Sequence, residues 1–423
     1  MDVKAISDLD PDRRRALFER DAGLESIRED VAEIVNRVHE EGDVALREFC
    51  REFDDVEVGN FDVTDAAERA YEEIDDDVRD AIETAAANIR SFHERQVPAD
   101  WTTETEGREL GRRFYPLDSA GVYVPGGTAA YPSSALMGII PAKVAGVEHV
   151  VVATPPAEEI NPVTLAAIHA AGADAVYQIG GAQAIAAMAY GTESVTSVDV
   201  IVGPGNRWVT AAKAEVQGDI KIDMLAGPSE VLALADESAD PDILAAEMVA
   251  QAEHDPNAAV VTVTDDRELA EAVRESVDEQ ASEREREDII REALDNEASG
   301  IFVGRSISEA ALFADEFAPE HIYVLAEDED ALLDRIANYG SAFLGEFSPV
   351  AAGDYASGTN HVLPTDGQAR LASGLSVDTF VRSATVQRLS EDGLSSLRET
   401  ITTLATEEGL EGHAHSVDAR FEE

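Results

Sequence analysis

From residue 118 onward, short runs rich in β-branched and aromatic residues alternate with longer stretches of helical spacing. This alternation restricts the fold more than any other feature. The runs read GVYVPGG, HVVVATPP, AVYQIGG and DVIVGPG, then VLALAD, AVVTVTDD, GIFVG, HIYVLAED and SAFLGEF, as far as about residue 347. Strand, helix and strand in succession imply a parallel sheet with helices on its faces. The runs are too many for one small sheet. The expected fold class is therefore α/β, with two Rossmann-like α/β domains holding parallel sheets and a small helical C-terminal segment. The expected boundaries place residues 1–117 with 233–380 in the first domain, 118–232 in the second, and 381–423 in the C-terminal segment.

The N-terminal part reads as helical. Ile27, Val31, Ile34, Val35 and Val38 form one stripe, which Gly42 interrupts, and Val78, Ile82, Ala85, Ile89 and Phe92 form another. Leu394, Leu397, Ile401 and Leu404 repeat the spacing near the end, and the charged run 278–297 fits a solvated helix face.

Charge narrows the function. The chain has 32 Lys and Arg against 87 Asp and Glu, a net charge of −55. So acidic a surface repels polyphosphate and excludes nucleic acid as a partner. Disorder would need low hydrophobicity as well, and 44% of the residues are hydrophobic. A folded protein adapted to high salt fits, because concentrated ions screen the self-repulsion. No stretch approaches the roughly 20 apolar residues that span a bilayer, and the first residues lack an apolar signal region. Cys50 is the only cysteine, which suits a reducing, cytoplasmic compartment.

Four segments concentrate side chains able to do chemistry. In DPDILAAEMVAQAEHDP, Asp240 can cap a helix and Pro241 suits its first turn. Gln251 and His254, three apart, then share a face at its end. A surface histidine welcomed by a helix C-terminus explains that pair equally well. In FAPEHIYV, Glu320 and His321 stand at the mouth of an apolar strand, where open α/β sheets bind ligands and where two titratable groups could move protons. A strand edge capped by polar residues is the plain alternative. In GDYASGTNHVLP, Asp354 and His361 are seven apart, too far for one helical turn to pair them, and the loop lacks a Walker ending. In EEGLEGHAHSVDARF, Glu408, His413 and His415 could equally be an acidic tail. Five of the nine histidines fall in these segments. Glutamine, histidine and aspartate together make a mixed O/N donor set that suits Zn²⁺. No G-x-G-x-x-G turn is present: VGPGNRWV offers Gly203 and Gly205 but has Trp208 in the third glycine's place.

The motifs GVYVPGGTAAYPSS, QIGGAQAIAA, VGPGN, AGPSE, QAEH, APEH, GDYASGTNHVLPT and EGLEGHAHSV, in this order over nearly the whole chain, resemble those of histidinol dehydrogenase. The resemblance implies oxidation of L-histidinol to L-histidine, the last steps of histidine biosynthesis, with NAD and one zinc ion per subunit. It also implies an intertwined homodimer, with the C-terminal segment reaching the partner subunit. By motif it implies zinc ligands Gln251, His254, Asp354 and His413. Glu320 and His321 take the acid–base roles, with His321 neutral near pH 7. Ser229, His361 and Glu408 join them as substrate contacts, and Tyr123, Gln183 and Asn206 are NAD contacts. From residue types alone, a zinc hydrolase using Glu320 and a metal-bound water stays open, as does a non-catalytic acidic protein.

Overall fold

The computed structural model describes residues 1–20, 23–126 and 130–422. Residues 127–129, part of the double-glycine motif, lie outside the described set. Strand β1 (Val3–Ala5) opens the chain, and β2 (Trp101–Thr105) and β3 (Arg108–Pro116) form a hairpin. β4 (Ser119–Tyr123), β5 (His149–Thr154), β6 (Ala175–Gln178), β7 (Val200–Val202) and β8 (Lys221–Ile222) follow. Then come β9 (Glu230–Ala235), β10 (Ala259–Thr264), β11 (Gly300–Val303), β12 (His321–Leu325), β13 (Ser341–Leu344) and finally β14 (Val381–Leu389).

These strands form three sheets: a six-stranded sheet β1-β11-β10-β9-β12-β13, a five-stranded sheet β6-β5-β4-β7-β8, and a three-stranded sheet β14-β3-β2. The first two are parallel throughout, as the strand–helix alternation requires. Their central strands are Val-, Leu- and Ala-rich because helices cover both faces; every residue of β9 and β10 is buried. The helix Pro241–Ala252 begins as its sequence prescribes, with the Asp240 carboxylate accepting from Asp242 N and proline at the first position.

Residues 1–96 and 117–380 form one compact unit holding both parallel sheets, and residues 97–116 and 381–423 form a second. The sequence pattern places 97–116 with the first α/β domain and shows only helix after 381. The structure instead pairs β3 antiparallel with β14, from Arg108↔Leu389 to Pro116↔Val381. These strands escape the sequence pattern because neither face is buried: β2 is exposed along its whole length, and only Gly111 is buried in β3. The N-terminal helices also differ from expectation. Arg28–Glu41 and Asp43–Phe53 share a core with Tyr123, Val151 and Ile201 of the five-stranded sheet, a long-range choice that helical periodicity cannot specify.

Two edges position the site. Strand order reverses between β4 and β7 in one parallel sheet and between β9 and β12 in the other. The carboxyl end of β4 leads towards helix Pro132–Ala145, whose Ser134 reaches His361. The amino ends of β9 and β12 carry Glu230 and His321.

Candidate active site

Glu320 and His321 sit at the amino end of β12. The sequence expectation had them at a strand end bordering a cleft; the end they occupy is opposite to the carboxyl end, where open α/β sheets usually bind ligands. The groups beside them come from the amino end of the neighbouring β9 and from the segment that follows β13. The approach to His321 is a tight elbow: helix Ile307–Phe317 ends at Ala318, in the left-handed region at φ 50°, and Pro319 and Glu320 lead into the strand. A residue with a Cβ in that region costs about 1 kcal/mol or more and persists only where its surroundings impose it.

Those surroundings are polar and buried. Glu320 and His321 are 5% and 4% exposed. Glu230 N donates to Glu320 Oε2 at 2.8 Å, and Glu320 N donates in return to Glu230 Oε2 at 3.3 Å. His321 Nδ1 lies 3.0 Å from the Glu230 carbonyl. A carbonyl only accepts, so Nδ1 carries a proton there. Nε2 is buried without a hydrogen-bond partner, 3.6 Å from Asp354 Oδ1. Burial alone would lower the His321 pKa, but the charges of Glu320 and Asp354 outweigh it and hold the ring up at about 9. In the chain by itself these charges favour the protonated ring; offsetting the Asp354 charge would favour the neutral ring that the sequence reading expects.

Asp354 and His361, unpaired by sequence spacing, meet because a loop folds back. His361 Nδ1 donates to the Asp354 carbonyl at 3.1 Å, and Ser134 Oγ lies 3.1 Å from His361 Nε2. Burial lowers the His361 pKa, so a neutral ring accepts from Ser134. Asp354 is the next-to-last residue of the short helix Val350–Tyr355. The first amide of that helix, Val350 N, donates to Glu247 Oε2 at 3.0 Å. Glu247 is 8% exposed, and burial raises its pKa. It lies one helical turn before Gln251, so the face already picked out by Gln251 and His254 could have revealed it.

The remaining expected residues are placed less closely. Gln251 is 4% exposed, and its Nε2 is buried without a partner. His254 is exposed at the same helix end. Ser229 immediately precedes β9 and is half-buried. Among the described residues no three His, Cys, Asp or Glu side chains group as metal ligands. Of the ligands expected from the sequence, the first unit holds Gln251, His254 and Asp354. Glu408 and His413 lie in the other unit, both exposed. At the carboxyl end of β4, buried Tyr123 accepts at its hydroxyl from Gly181 N at 3.1 Å. Gln183, 2% exposed, follows in the same helix. The Asn206 side chain caps helix Arg207–Val216, accepting from Trp208 N and Val209 N. Beside it, Gly203 has φ +110°, and a Cβ there would meet Tyr123 O at 2.2 Å.

A family model described as histidinol dehydrogenase matches residues 18–421. The chain belongs to the histidinol dehydrogenase family. It is 71% identical over 422 residues to "Histidinol dehydrogenase" from Haloarcula marismortui, covering 100% of both chains. It is 68% identical over 422 residues to the one from Natronomonas pharaonis, again covering 100% of each. The crystal structure of histidinol dehydrogenase from Elizabethkingia anophelis superposes with a TM-score of 0.93 at 36% identity, over 99% of this chain and 97% of that one. The family's enzymes are oxidoreductases, which sets the hydrolase and non-catalytic readings aside. Relatives from halophilic archaea accord with the −55 net charge.

Proposed function

We propose that this chain oxidises L-histidinol to L-histidine in two NAD-linked steps at one zinc site, with Glu320 and His321 moving the protons. The observation that carries the reading is the buried His321 ring, anchored through Nδ1 with Nε2 free beside Asp354.

Loss of hydride from a carbinol carbon requires its hydroxyl to lose a proton, and His321 Nε2 is the atom positioned to take it. Bound nicotinamide would accept that hydride. Water then adds to the resulting aldehyde: Glu320 takes one proton from the water while the His321 ring returns its proton to the carbonyl oxygen, which gives the hydrate and leaves His321 neutral again. The hydrate carries a hydroxyl and a hydrogen on one carbon, so His321 acts a second time. Enclosing both oxidations keeps the reactive aldehyde from solvent. Ser229, His361 and Glu408 would hold the substrate, and Tyr123, Gln183 and Asn206 would line the NAD site.

The donor set fits zinc: an imidazole, a carboxylate and a buried amide with one end unpartnered, which an amide flip turns into an oxygen donor. Gln251, His254 and Asp354 would hold the ion together with His413 of the partner subunit. Held by these residues, the ion would supply positive charge that orients the substrate and offsets the Asp354 charge that raises His321. The second unit supports a homodimer. Gly111, Gly393 and Ala405 are the only residues buried in it among those described, while Trp101, Leu110, Leu404 and Leu410 are exposed. A three-stranded sheet with no covered face is marginal in water, and a partner subunit would cover it.

The test is histidinol-dependent NADH formation in concentrated KCl, with and without chelator. Activity abolished by chelation and restored by zinc supports the proposal; activity indifferent to metal removal overturns the zinc site.

A further inference from the structure

We propose that the buried ion pair Arg20–Glu230 is a positioning clamp for the elbow from Phe317 to His321, an inference that rests on the roles proposed above for Glu320 and His321. The pair is bidentate: Arg20 Nε to Glu230 Oε1 is 2.6 Å and Arg20 Nη2 to Oε2 is 3.1 Å. Its side chains are 6% and 1% exposed. Each partner also grips one end of the elbow. Arg20 Nη2 donates to Phe317 O at 3.0 Å, with the guanidinium over the Phe317 ring at 3.8 Å. The Glu230 carboxylate accepts from Glu320 N at 3.3 Å and from Asp366 N at 2.9 Å. Between those two grips lies Ala318 in its left-handed conformation.

The same residue reaches the reacting side chains through its peptide. Glu230 N holds Glu320 Oε2, and Glu230 O holds His321 Nδ1. Residue 230 thus bonds the backbone of one member of the pair and the side chains of both. All four contacts of its carboxylate are with donors. Glutamine in its place would turn an NH2 towards one of them and open the clamp. The Arg20 and Glu230 side chains are both buried against the protein. They act through Glu320 and His321, so their loss should appear in turnover rather than in substrate binding.

The experiment compares the parent chain with Glu230→Gln, Arg20→Gln and Arg20→Lys in concentrated KCl. Measured are kcat and KM for histidinol, far-UV circular dichroism, bound zinc, and the Nδ1–H proton signal of His321, assigned by its absence in His321→Asn. Expected for the first two variants is a kcat lower by about 100-fold, the scale on which a 1 Å misplacement acts. KM should stay within about threefold, zinc should be retained, and the Nδ1–H signal should be shifted or lost. Arg20→Lys keeps the charge without the fork and should fall between them and the parent. It also serves as the test if either glutamine variant fails to fold. The clamp is overturned if folded variants keep the parent's kcat and ring signal. It is also overturned if kcat falls only in proportion to unfolded protein while the ring signal is unchanged. A parent chain inactive with histidinol would sink the proposed function instead, and the ring signal would then decide the clamp by itself.

Discussion

The turn after β7 is braced by an ion pair whose removal should be felt throughout the first unit. Lys213 Nζ donates to Asp223 Oδ1 at 2.7 Å and to the Gly203 carbonyl at 2.6 Å. Asp223 Oδ2 accepts from Gly203 N at 2.8 Å, so the pair holds both backbone polar groups of Gly203. Its side chains are 4% and 1% exposed, so neither charge is rescued by water when the other is deleted. Breaking a pair this buried by removing one partner costs about 3–5 kcal/mol, because the survivor is left uncompensated. Against a typical total of about 5–15 kcal/mol, that is a large share. At about 2 °C per kcal/mol for a long chain, Lys213→Met should lower the Tm by about 6–10 °C, measured by far-UV circular dichroism in concentrated KCl. The double variant Lys213→Met with Asp223→Asn leaves no buried charge and keeps an acceptor for Gly203 N. It should recover part of the loss, with a coupling of about 1.5 kcal/mol or more. A Lys213→Met drop under about 2 °C, or strictly additive losses in the double variant, would refute the reasoning.

Other expectations concern the site and the surface. His321→Asn should lower both oxidations by about a hundred- to ten-thousand-fold with zinc still bound; metal lost along with activity would count against a purely proton-moving role. Mixing inactive His413→Ala and His321→Asn chains should restore activity in heterodimers, because one of the two sites then draws intact residues from both; no recovery in isolated heterodimers would exclude a shared site. With −55 charges, dialysis into dilute buffer should unfold the protein, and an unchanged circular dichroism spectrum there would refute salt adaptation.

Much of the architecture was readable before any coordinates. Apolar runs such as EVLALA and AVVTVT announce buried parallel strands, and Asp240–Pro241 announces a helix start, because periodicity and capping are local physics. The residues near the site were legible as motifs, and Glu247 could have been found from its helix face. The sheet of β2, β3 and β14 was not legible, since exposed strands leave no hydrophobic period to read.

Nor could any local pattern pair Arg20 with Glu230, 210 residues away, or Lys213 with Asp223 around Gly203. The protonation of His321 likewise depends on Asp354 standing 3.6 Å off. The order of residues decides which segments become helix or strand and which chemistry each carries. Which buried charges face one another, and hence which protons are held, is settled only when distant segments are packed together out of water, where electrostatic interactions are strong enough to matter.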